Sequence, residues 1–216
     1  MQKIIVFLGP SLDHASAGKI LPAEYRPPAK RGDILSAVAD GATVIGLIDG
    51  VFHQDCAVAH REVMHAIKKG VKVIGSSSMG ALRAAELDTL GMVGIGEIYR
   101  QYATKELESD DEVALIFDPE TYIPLSEPLV NIRCSLNRAQ SAGIITPDGH
   151  ATLLSAARLV FYPQRTWSHI LSVAGGSIDA GTRERFVSWM KTASCDQKKE
   201  DAIAALVYIR DIASKK

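Results

Sequence analysis

The sequence predicts an α/β protein: a parallel sheet with helical crossovers over residues 1–125, then an all-helical lobe over residues 126–216. Three observations predict it. Short runs rich in Val and Ile at residues 3–8, 42–48 and 71–74 show no polar alternation, as strands buried on both faces do. Segments with helical spacing separate them, and a strand, helix, strand order calls for crossover connections between parallel strands. Beyond residue 129 the spacing is helical throughout. The first part is therefore a Rossmann-like core.

The elements follow in order. The first strand, at residues 3–8, ends in the turn signal Gly9-Pro10. Residues 13–30 contain Pro22, Pro27 and Pro28 and read as irregular. Gly32 and Asp33 open a helix running to about Asp40. The second strand, at 42–48, closes on Asp49-Gly50. Val58, Met64 and Ile67 mark a helix that stops at Gly70, a C-cap signal. The third strand, at 71–74, leads through Gly75 and three serines into a helix over 79–87. A further helix is expected at 97–102 and a further strand at 113–117, with loop around the prolines of 118–128. The lobe reads as helices at 129–141, 150–161, 167–173, 182–190 and 198–214.

The chain has 216 residues, 47% hydrophobic and 23% charged, with a formal net charge of −1. That is a globular composition with enough apolar residues for one substantial core. No basic excess is present, so no nucleic-acid partner is expected. The N-terminal apolar run, from Ile4 to Leu8, is too short for a signal peptide or a membrane span. Cys56, Cys134 and Cys195 are odd in number and far apart, which predicts neither a zinc site nor a disulfide framework. A reduced, cytoplasmic protein without membrane association, metal or cofactor is expected.

In open α/β sheets, ligands sit at the carboxyl ends of the strands. Three loops converge there: residues 9–11, 49–52 and 75–78. The last carries Ser76, Ser77 and Ser78 between strand and helix. A serine at such a seam can cap the helix, use the free amides beside it to hold an anion, or act as a nucleophile. The pattern Ser76-x-Ser78-x-Gly80 resembles the strand–turn–helix elbow of hydrolases, with Ser in place of its first Gly. Gly80 would let the helix approach the neighbouring strand, and the amides of Met79 and Gly80 would form an oxyanion hole.

A nucleophilic serine needs a base. His53 and His60 follow the second strand, while Lys198 and Lys199 begin the last helix. Arg83 and Glu86 are three apart and share a helix face, so Arg83 either binds a carboxylate or pairs with Glu86. Asp49 is a strand-end turn residue or an acid. Cys56 has no environment that would activate its thiol.

The segments from Ile48 to Phe52, Ala57 to Glu62, Gly75 to Leu87, Gly91 to Gly94 and Asp110 to Ala114 resemble, in that order, the TfuA-like family. The string Ser78-Met-Gly-Ala-Leu-Arg-Ala-Ala-Glu86 is its most specific part. Phe7 to Pro10 and Pro27-Pro28 with Gly32-Asp33 fit as well, and the helical remainder matches weakly. The resemblance implies a partner of a YcaO enzyme, which activates a peptide backbone amide with ATP for thioamidation. It implies that the chain receives a ThiS-like sulfur carrier protein and hydrolyses its C-terminal thiocarboxylate to release sulfide. It further implies a serine–lysine pair.

Carried onto this chain, the catalytic residues are Ser78 as nucleophile and Lys198 as base, with Lys199 and then His60 behind it. Substrate-binding residues are Ser77, Met79, Gly80, Arg83, His60, Arg61 and Asp49. Arg61 stands where one family lysine follows a histidine, and arginine cannot serve as a base. The competing reading is a non-catalytic adaptor that docks the carrier and the peptide substrate onto YcaO. A nucleotide-binding enzyme is disfavoured, since neither G-x-G-x-x-G after the first strand nor a P-loop is present.

Overall fold

The computed structural model describes residues 2–52 and 56–214. Two compact units make up the chain: residues 1–110 together with 198–216, and residues 111–197.

The first unit is a five-stranded, all-parallel sheet in the order β2-β1-β3-β4-β5. The strands are β1 (Ile4–Phe7), β2 (Glu24–Arg26), β3 (Val44–Leu47), β4 (Lys72–Ser76) and β5 (Val93–Ile95). Helices α1 (His14–Ile20), α2 (Asp33–Ala39), α3 (His60–Lys68) and α4 (Met79–Leu87) make the crossovers, and α5 (Glu97–Ala103) follows β5. The order reverses between β1 and β3, which makes that pair the topological switch point of a doubly wound sheet.

Period-two alternation along each strand sorts its side chains between two cores. Ile5, Phe7, Ile45, Leu47 and Val73 pack with α2, α3 and α4. Val6, Leu8, Val44, Ile48 and Ile74 face Ala17 and Leu21 of the α1 region, and Ala202, Ala205, Leu206 and Ile209. The last four belong to α10 (Gln197–Ser214), so the final helix covers the sheet. The expected division at residue 125, with that helix in the lobe, differs in this respect.

Three further differences have local causes. Residues 13–30, expected to be irregular, contain α1 and β2. Asp13 caps α1 by accepting from the Ser16 amide at 2.8 Å, and the helix ends before Pro22. The strands β2 and β5 are three residues each, too short for a readable period. Residues 113–117 are not a strand. Phe117 forms an isolated bridge with Pro124, while Val113 and Ala114 are buried in irregular chain. Gly70 does take the left-handed angle of a helix stop, at φ +81°.

The second unit holds α6 (Leu129–Ser141), α7 (Pro147–Leu159), α8 (Trp167–Ala174) and α9 (Ala180–Ala193). Thr146, Thr166 and Asp179 cap the last three through their side chains. Leu136, Leu153, Ile170 and Phe186 form its core. Arg165 is 1% exposed; it pairs with Asp111 at 2.6 Å and donates to the Ala157 and Val160 carbonyls. Cys134 and Cys195 are joined by a disulfide, against the sequence expectation. Their sequence separation of 61 hid the pairing, because only the fold brings α6 beside the chain leaving α9.

Candidate functional site at the carboxyl ends of the strands

The serine seam is a strained turn. The Ser78 amide donates to the Ser76 carbonyl at 2.8 Å, closing a three-residue γ-turn. Its central residue, Ser77, has φ +65°. A γ-turn with positive φ at its centre is the rare and strained form, and a non-glycine residue rarely occupies it. Ser78 then stands at the N-cap position of α4 with φ −115° and ψ −124°, and its side chain makes no cap hydrogen bond. Capping therefore does not explain Ser78.

Close packing aims the helix at this point. A Cβ on Gly80 would lie 1.7 Å from the Leu47 carbonyl oxygen, so only glycine lets α4 start against the end of β3. The contact occupies the Gly80 amide, which donates to the Ile48 carbonyl at 3.2 Å. Of the two expected oxyanion donors, Gly80 is thus committed. Met79, at the first helical position, has no intrahelical acceptor for its amide.

The other two serines point inward. Ser76 Oγ donates to the Ile95 carbonyl at 2.7 Å and approaches the Asp201 carbonyl at 3.0 Å. Ser77 Oγ lies 2.8 Å from Ser11 Oγ and 2.9 Å from the Lys198 carbonyl, and its one proton is shared between these two acceptors. Ser11 Oγ in turn donates to Asp49 Oδ1 at 2.7 Å, while Asp49 Oδ2 accepts from the amides of Gly9 and Ser11. Asp49, at the end of β3, therefore clamps the loop after β1 across the switch point. All three convergent loops contribute to one buried network.

Lys198 is 2% exposed and Lys199 is exposed. The helical turn explains the difference: Lys198 and Asp201 share the inward face of α10. Asp201 also accepts from the amides of Glu97 and Ile98, fixing the start of α5 to the same helix. Lys199 faces Asp13, whose carboxyl lies below its usual pKa mainly through the Ser16 amide and in smaller part through the Lys199 charge.

Arg83 donates from Nε to the Val58 carbonyl at 2.9 Å and pairs with Glu86. His60 Nε2 lies 2.8 Å from the same Glu86 carboxylate. Arg61 is exposed on α3. Thus His60, Arg83 and Glu86 form one group and the serines, Asp49 and Lys198 another. Beside Met79 opens a cleft of about 470 Å³, walled by Phe52, Leu82, Arg83, Glu86 and Glu108. His53, considered as a base, lies outside the described residues. Among the described residues no group of three or more His, Cys, Asp or Glu is placed to hold a metal ion. No helix among them is long and apolar enough to cross a membrane.

A family model for TfuA-like protein matches residues 49–166, more than half of the chain. The chain belongs to the TfuA-like family. Within the TfuA-like span lie Asp49, His60, Arg61, the serine turn and Arg83; Ser11 and Lys198 lie outside it. No curated protein matches the chain.

Sequence reasoning missed Ser11 and Asp201. Ser11 follows a Gly-Pro turn and carries no motif. Asp201 sits among charges that read as a solvated helix face. The one signal in the sequence is convergence: residues 9–11 fall at the same sheet end as the serines.

Proposed function

We propose that this TfuA-like protein hydrolyses the C-terminal thiocarboxylate of a ThiS-like sulfur carrier, supplying sulfide for YcaO-dependent thioamidation of a peptide backbone. The observation that carries the reading is the hydrogen bond from Ser77 Oγ to the Lys198 carbonyl. Across 121 residues of sequence it joins the start of α10, with its buried lysine, to a strained serine turn whose Ser78 caps nothing. A nucleophile needs a hydroxyl that is not spent on structure and a base brought to it by the fold.

In this mechanism the Lys198 amine takes the Ser78 Oγ proton as the oxygen attacks the thiocarboxylate carbon. The Met79 amide stabilises the developing oxyanion. The carbon–sulfur bond breaks, the proton passes to sulfur and hydrosulfide departs, leaving the carrier as an ester of Ser78. Water then attacks that ester, giving the carrier carboxylate and free Ser78.

The test is sulfide release from a thiocarboxylated carrier by the purified protein, with Ser78→Ala and Lys198→Ala beside wild type. Turnover should fall by a factor of about 10³ or more in both variants. Tight carrier binding without turnover in wild type would overturn the hydrolase and leave the adaptor. Arg61, in place of a lysine and exposed, favours that second reading.

A further inference from the structure

The serine turn is strained, and something must hold it. A non-glycine residue in such a conformation costs about 1–3 kcal/mol and persists only where its surroundings over-determine it. Ser77 could relieve the strain by returning to negative φ, which would also let Ser78 fall onto the first turn of α4 as an ordinary cap. Glycine would take the angle freely. A serine in its place supplies a hydroxyl, and that hydroxyl is anchored.

The anchor has a definite polarity. A carboxylate only accepts, so the Ser11 proton is directed to Asp49, and the Ser11 lone pairs are left for the Ser77 proton, which Ser11 shares with the Lys198 carbonyl. Asp49 also accepts from the Gly9 and Ser11 amides, so Ser11 is fixed through its backbone and its side chain at once. Ser11, Asp49 and Ser77 are each 2% exposed or less, so water offers no substitute partner, and loss of Ser11 leaves Ser77 only the Lys198 carbonyl, which does not tie the turn to the loop after β1. With both carboxylate oxygens engaged by the loop after β1, Asp49 acts on that loop rather than on a substrate.

We propose that Asp49 and Ser11 are positioning residues, a relay that acts through Ser77 to hold the γ-turn presenting Ser78. The relay deepens the hydrolase reading and rests on it for its catalytic consequence, but the hold on the turn is measurable without turnover.

The experiment is amide hydrogen exchange of the full chain by NMR, comparing wild type, Ser11→Ala, Asp49→Asn and Ser11→Thr. The Ser78 amide makes the bond that closes the turn. Its exchange should speed up by about tenfold in Ser11→Ala and Asp49→Asn, relative to the Val73 and Ile74 amides of β4. Ser11→Thr keeps the hydroxyl and should stay within about threefold of wild type. Unchanged Ser78 exchange in Ser11→Ala would overturn the relay. So would acceleration shared equally by β4, which is general loosening. Should Asp49→Asn not fold, Ser11→Ala decides alone, since it removes one oxygen.

In the sulfide assay the same two variants should lose kcat by about tenfold with KM within about twofold. An inactive wild type would sink the hydrolase reading while exchange still decides the relay. A normal kcat beside fast Ser78 exchange would overturn the relay's catalytic part.

Discussion

Gly80 shows how much of the site depends on a missing atom. Its amide bonds the Ile48 carbonyl, and a methyl group there would meet the Leu47 carbonyl, backbone that has no rotamer to yield. Gly80→Ala should therefore destabilise the protein by at least about 2 kcal/mol, read from denaturant unfolding. Gly18→Ala, where a Cβ would meet nothing within 4 Å, should not destabilise it and serves as the control. The need for glycine at 80 was legible in the sequence, because a strand, serines and a helix start leave little room between β3 and α4. The use of Asp49 was not. An Asp-Gly pair after a strand reads as a turn, and only the pairing of β1 beside β3 brings its carboxylate to residues 9–11.

Elements were legible in proportion to their length and burial. The strands β1, β3 and β4 are apolar runs buried on both faces, and their residues announce it. The edge strands β2 and β5 do not, since pairing with a neighbour rather than pattern defines three residues. In the helical unit, α7 begins at Pro147, three residues before the expected start, because Thr146 caps it and proline suits the first turn. Just before α6 lies Glu127, whose carboxyl pKa is raised, chiefly by burial and further by the Asp196 charge. The folded unit thus holds this proton more tightly than the unfolded chain. As pH rises through the raised pKa, the native state loses stability from this group. Glu127→Gln should raise the melting temperature at pH 8 and change it little at pH 4, as a thermal scan at both pH values would show.

Across the molecule, the two units are held by different means. The α/β unit has two apolar layers on its sheet, whereas the helical unit combines one core with the Cys134–Cys195 disulfide. Closing a loop of 61 residues stabilises by about 4 kcal/mol in the chain-entropy account, and native disulfides typically contribute 2–5. Cys134→Ser should lower the denaturation midpoint of the helical unit and leave that of the sheet unit in place, followed by hydrogen exchange in each. The cysteines showed no pairing in the sequence because neither spacing nor count encodes which helices meet.

The placement of α10 has a consequence for synthesis. The five described strands have been made by residue 95, yet the face of Val6, Val44 and Ile74 has only the α1 region as cover until residues 198–214 leave the ribosome. The helical unit, encoded between, is complete first. The amino-terminal unit therefore cannot complete its core while the rest is translated, as a domain contiguous in sequence can. Part of the nascent sheet waits, exposed, for a helix more than a hundred codons downstream, and rare codons or a stall within residues 111–197 would lengthen that exposure.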